Sequence, residues 1–252
     1  MTGPAGAPAT AAPGRASLRR IDPLKVVDTA AVLARRIRER FPGSGLARIA
    51  DELHAITRES AARTEWLRRP NWGLRVVAAV LVTALLTLVA STLIRVGLPS
   101  KVASFQELVQ LLESGVNDVV FVGIAVFFVT SLEARRKRAR ALDWIDELRS
   151  LAHIVDMHQL TKDPDRVHEG RVDTPSSPKV ALTRAELARY LDYCSELLSV
   201  TSKVAALYAQ DFGDGVLLAA VNEIENLTAG LSRKIWQKIM ILDRVAEARD
   251  RE

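Results

Sequence analysis

The chain has 252 residues, with 35 Lys and Arg against 30 Asp and Glu and a formal net charge of +5. A sequence pI of about 9.6 points to nucleic acid or anionic lipid as a partner. The one cysteine, Cys194, excludes an intrachain disulfide and a Cys-rich zinc site.

Residues 1–20 are rich in Ala, Pro and Gly and lack the apolar core of a secretory signal peptide, so they read as a disordered tail. Asp22-Pro23 opens a helix, with Pro in the first turn where its missing N–H costs nothing. Leu24, Val27, Ala31, Leu33 and Ile37 form its expected apolar side, and Phe41–Gly45 (FPGSG) ends it. A second helix is predicted from about Leu46 to Arg69, with Leu46, Ile49, Leu53 and Ile56 at helical spacing. Together they make an N-terminal helical hairpin over 21–70. Pro70 stops it beside Trp72, an aromatic suited to a membrane interface.

Val76 to Ile94 is an uncharged apolar run of 19 residues, long enough for a helix to cross the roughly 30 Å of a bilayer core. Ala79, Thr83, Thr87 and Ser91 recur every fourth residue within it. Small and hydroxyl residues let helices approach closely in lipid. This face is expected to pack against the second span or another copy, or to line a pore in an oligomer. Ser104 and Glu107 match a capping box, opening a short amphipathic helix with Phe105, Leu108, Leu111 and Leu112 on the outer surface.

The second span is weaker. Val119–Leu132 is uncharged for 14 residues, and extending it back to Gly115 brings in Asn117 and Asp118. Its flanks decide the reading. Arg135, Arg136, Lys137, Arg138 and Arg140 follow it, and Arg63, Arg68 and Arg69 precede the first span. Only Arg95 and Lys101 lie between the spans. Basic residues concentrate on the cytoplasmic side, so 71–134 reads as a two-span hairpin with both chain ends in the cytoplasm. Arg95 and Asp118 should emerge at one level, where they could form an ion pair. The Arg135–Arg140 cluster reads as a topology signal and an anchor for anionic headgroups. With no interleaved aromatics and no recognition motif, nucleic acid is not the expected partner.

No stop signal occurs before Leu160, so 135–160 is predicted to extend the second span into the cytosol. Residues 161–182 hold three prolines and read as a flexible linker. His153, Asp156, His158 and His168 are the residues from which a metal or pH-responsive site could be built. The His-to-His spacing of four that a zinc helix uses is absent. Thr183 and Glu186 form a capping box. Leu187, Leu191, Cys194, Leu198, Thr201, Val204 and Leu207 follow in steps of three and four. QDFGDG, Gln210–Gly215, then breaks the pattern. Its DFG triplet lacks every other kinase element, and Asp214 is read as capping the last helix. That helix repeats Leu217, Val221, Ile224, Thr228, Leu231, Ile235, Lys238, Leu242 and Val245, giving an antiparallel helical hairpin over 183–252.

The expected fold is all-α: an integral membrane protein whose two-helix transmembrane hairpin lies between cytosolic helical hairpins. No Walker A loop, GxGxxG, GxSxG or HExxH motif is present, so neither an enzyme nor a cofactor is expected. The expected function is a membrane-anchored, homo-oligomeric scaffold or interaction protein, whose cytosolic helices mediate assembly or bind a cytosolic protein. The alternative is a small oligomeric channel or membrane-perturbing effector gated by those helices. The compact chain and high Ala and Arg content suit a bacterial cytoplasmic membrane.

Overall fold

The structure, a computed structural model, describes residues 20–96, 105–162 and 182–249. It contains α1 (Pro23–Arg40), α2 (Gly45–Arg68), α3 (Trp72–Val96), α4 (Phe105–Leu160), α5 (Arg184–Gln210) and α6 (Gly215–Arg249). No strand occurs among the described residues. The predicted tail lies outside them apart from Arg20, as do residues 163–181 of the predicted linker.

Asp22 caps α1, its carboxylate accepting from the Leu24 N–H at 2.9 Å. The buried face is Val26, Ala30, Leu33, Ala34 and Ile37, one step round from the expected Leu24, Val27 and Ala31. Leu24 is 67% exposed. The doublets Val26-Val27 and Ala30-Ala31 made two stripes equally apolar, and only packing on α2 and α5 separates them. Gly43 turns the chain at φ +68°, and Ser44 caps α2 by accepting from Ala47 N–H at 3.1 Å. Gly45 meets a second demand, because a Cβ there would overlap the His158 ring of α4.

On α2 the expected Leu46, Ile49, Leu53 and Ile56 are buried. The same face continues through Thr57, Ser60, Thr64 and Leu67. Its hydroxyls satisfy themselves on the helix's own carbonyls, Thr57 on Leu53 at 2.6 Å and Thr64 on Ser60 at 2.7 Å. Hydroxyls bonded this way can sit in an apolar contact without an unmet hydrogen bond.

α4 is one unbroken helix of 56 residues, about 84 Å long at 1.5 Å per residue. It absorbs the stretch Phe105–Leu112 that was expected to form a separate outer helix. From Phe105 to Leu160 the sequence holds no proline, so nothing forces a break. Ser104, the cap expected there, lies outside the described residues. The helix ends at Leu160, where the periodic pattern stopped.

α5 opens with the expected capping box, Thr183 and Glu186 each accepting from the other's backbone. All seven residues of its expected stripe are buried. Tyr190, Tyr193, Leu197, Val200, Ala205 and Tyr208 are buried as well, because α5 is the central helix, touching α1, α2, α4 and α6. On α6 the stripe from Leu217 to Ile235 and Leu242 is buried. Lys238 interrupts it and donates from Nζ to the Gln159 carbonyl of α4 at 2.8 Å. The side chain of Val245 lies outside the described ones.

One core joins α1, α2, the Ala141–Val155 part of α4, α5 and α6. Among the described side chains, α3 and the first half of α4 contribute none to it. They pair with each other and carry Val77, Val80, Leu86, Val119, Phe121 and Phe127 exposed. Windows with mean hydropathies of 1.4 and 1.9 lie within Gly45–Thr87 and Gly115–Leu160, and neither is buried by the chain. Two helices are therefore long and apolar enough to cross a membrane.

Candidate functional site

The bundle and the apolar hairpin meet where α2 turns into α3 beside the middle of α4. Pro70 limits the helix before it, and α2 closes with Arg69 N–H bonded to Glu65 O at 3.2 Å. An i,i+4 pair on α4 clamps this corner. Lys137 Nζ donates to the Arg69 carbonyl at 2.7 Å and pairs with Glu133 at 3.0 Å. Glu133 in turn accepts from the Asn71 N–H at 2.9 Å. Lys137 and Glu133 are only 12% and 17% exposed, so the clamp is largely shielded from water.

The next residue points elsewhere. Arg138 Nε donates to Asp214 Oδ2 at 2.7 Å, and Asp214 Oδ1 accepts from the N–H groups of Val216 and Leu217 at 3.0 Å each. Asp214 thus caps α6 as expected and also ties it to α4. Burial alone would push its carboxyl up. The Arg138 hydrogen bond, the two N–H groups and the guanidinium charge outweigh burial and hold it below its ordinary value.

Arg140 stacks over the Trp66 ring at 5.9 Å. Trp66 meets Trp144 edge-on at 5.9 Å, and Trp144 lies against Tyr208 at 5.5 Å. Arg63 covers the Trp144 ring at 5.2 Å and bonds Glu147 at 2.6 Å. Such cation–π contacts contribute about 0.5–2 kcal/mol each. The five-residue basic cluster is therefore divided. Lys137 and Arg138 hold the fold together, Arg140 is stacked, and Arg135 and Arg136 are exposed.

Two hollows adjoin this corner. A groove of about 760 Å³ is bordered by Trp66, Arg69, Trp72, Arg136, Arg140 and Asp143. A smaller cleft of about 310 Å³ runs between α3 and α4, bordered by Ala78, Leu81, Leu85, Val122, Val126 and Val129. This seam, not the small-polar stripe, is where α3 meets α4. Ala79, Thr83 and Thr87 are exposed, about 150° round the helix at roughly 100° per residue. Thr87 Oγ1 satisfies itself on Thr83 O at 2.7 Å, and Ser91 is half-buried. The side chains of Arg95 and Asp118, the expected ion pair, lie outside the described ones.

The histidine region does not converge. His153 is exposed. Asp156 accepts from Gln159 Nε2 at 2.6 Å. His158 bonds the Ile154 carbonyl through Nδ1 at 3.0 Å and packs on Gly45. His168 lies outside the described residues. Among the described residues no group of three or more His, Cys, Asp or Glu could hold a metal ion.

The sequence reading missed the Trp66–Trp144–Tyr208 stack and the Glu133 clamp. The i,i+4 spacing of Glu133 and Lys137 was visible, but the Arg69 carbonyl and Asn71 N–H that it holds come from a distant part of the chain. No known family model, curated protein or solved structure matches the chain.

Proposed function

We propose that this chain is a membrane-anchored helical scaffold. α3 and the first half of α4 cross the bilayer as a hairpin, and the five-helix bundle stands in the cytoplasm with both chain ends. The observation that carries this reading is the continuity of α4: its exposed apolar half and its bundle half are one helix, with Arg135 and Arg136 exposed where the two meet. Exposed apolar surface on that scale marks a membrane or protein contact, and a basic belt at its end matches a cytoplasmic boundary.

Assembly into a homo-oligomer is supported by the stripe Ala79, Thr83 and Thr87, which faces away from α4. Small residues turned outward from a helical hairpin suit close approach by a second copy. Native mass measurement of the lipid-reconstituted protein tests this. A defined oligomer in the native chain, and monomer after Thr83→Leu with Thr87→Leu, is the expected result. A native monomer would sink the assembly. The same exposed hydroxyls favour a second reading, an oligomeric channel lined by this stripe. It requires ion flux through reconstituted vesicles that the two leucine substitutions abolish.

A further inference from the structure

We propose that the groove at the bundle–hairpin corner and the α3–α4 cleft form one binding site for a single anionic glycerophospholipid. The phosphate headgroup would lie in the groove and an acyl chain along the cleft. This inference rests on the membrane reading above.

The charge of the groove supports the headgroup half. Arg69, Arg136, Arg140 and Lys137 border it together with two carboxylates, Glu133 and Asp143. Glu133 is already matched by Lys137 and the Asn71 N–H. Arg69 is likewise paired with Glu65 at 3.1 Å, so the guanidiniums of Arg136 and Arg140 remain against Asp143. Arg136 forms no ion pair among the described residues. Arg140 is held by the Trp66 ring, so its position is set before any ligand arrives. Guanidiniums suit phosphate because their planar fork matches its oxygens. Trp66 and Trp72 border the same groove, and tryptophan rings favour headgroup depth.

The helix register supports the acyl half and separates a lipid from free phosphate. Leu74 of the groove stands on one stripe with Ala78, Leu81 and Leu85 of the cleft. On α4, Val122, Val126 and Val129 of the cleft lead in steps of three and four to Glu133 and Arg136 of the groove. Residues so spaced share one helix face. The polar groove and the apolar cleft thus lie on one helix face, the cleft residues of α3 standing four to eleven residues beyond Leu74. At 1.5 Å per residue that is about 6–16 Å, the reach of an acyl chain below its glycerol.

The test uses the full chain released from membranes into detergent, with native mass spectrometry as readout. The lipids are phosphatidylglycerol and phosphatidylcholine with identical chains, and glycerophosphate serves as a chainless probe. Flotation with vesicles is run first. Failure to float would overturn the membrane reading itself, whereas flotation with no lipid preference would overturn only the site. The expected result is saturable binding of one phosphatidylglycerol, preferred about tenfold over phosphatidylcholine. Arg136→Gln with Arg140→Gln should lose that preference, and Arg135→Gln, in the same belt but outside the groove, should retain it. Ala78→Leu with Val126→Phe should weaken binding of both lipids by filling the cleft. Equal loss from Arg135→Gln would overturn the proposal in favour of diffuse surface charge. Glycerophosphate binding as tightly as phosphatidylglycerol would overturn the acyl half. Oligomers that never carry lipid, with the cleft shielded from labelling at Ala78→Cys, would mean that a second copy fills it. The substituted arginines are exposed, and retained helicity with an unchanged melting midpoint checks that the variants fold.

Discussion

Asp214 shows how one side chain can serve two helices. It caps α6 through two N–H groups and receives Arg138 from α4. Replacing it with alanine removes the cap, an effect of about 1–2 kcal/mol, and leaves Arg138 without its carboxylate. A urea melt of D214A should show that loss. Because the folded carboxyl lies below its ordinary value of 3.8, its contribution is present above that value and is lost as the pH falls through the lower, folded value. The acid limb of the stability curve should therefore flatten in Asp214→Asn. Cys194 makes a different prediction. It is fully buried, and burial pushes its thiol up to about 12. A maleimide at pH 8 should label it only as fast as the bundle unfolds, and rapid labelling of native protein would contradict the packing. Lys238 breaks the apolar stripe of α6. It donates to the Gln159 carbonyl in the last turn of α4, a group with no partner in its own helix that also accepts from the Lys162 N–H just beyond it. Lys238→Met should lower stability by about 1–2 kcal/mol, read from thermal melts.

At the scale of elements, the helices were legible because their signals are local. Asp22-Pro23, Thr183 with Glu186, and Asp214 all cap where their chemistry predicts, since a cap depends on neighbours two or three residues away. The stripe of α5 was legible for the same reason. The phase of α1 was not, because adjacent identical residues fit either face and the choice is made by α2 and α5. The divided roles of Lys137 and Arg138 were equally out of reach. A cluster of five cations has one appearance in sequence, and only the fold shows which of them meets the Arg69 carbonyl and which meets Asp214. The continuity of α4 gives the element-scale prediction. Ala134→Pro should cost about 3 kcal/mol or more and separate the two halves, whereas Ala134→Gly should cost about 1 kcal/mol. Melting curves of the two variants measure the difference. Similar losses would mean that the helix is already interrupted there.

Among the described residues the molecule has one core, in the bundle, and none in the α3–α4 hairpin. α5 touches every other helix of the bundle, so the N-terminal and C-terminal helices depend on one another through it. Leu198 is fully buried, and Leu198→Ala should cost about 2–5 kcal/mol. Hydrogen exchange should show α1 and α6 losing protection together, and two separate transitions would refute a shared core. This merging could not be read from the sequence, where 41–45 and 210–215 looked like the turns of two independent hairpins, 21–70 and 183–252. The unbroken α4 also has a mechanical consequence. A stiff rod fixed at one end in a packed core carries torque and axial load along its length without a joint to dissipate them. If its apolar half spans a bilayer as proposed, twisting the bundle would turn the far end of that rod, and a change in bilayer thickness would be felt as strain where Leu148 and Leu151 are buried in the core.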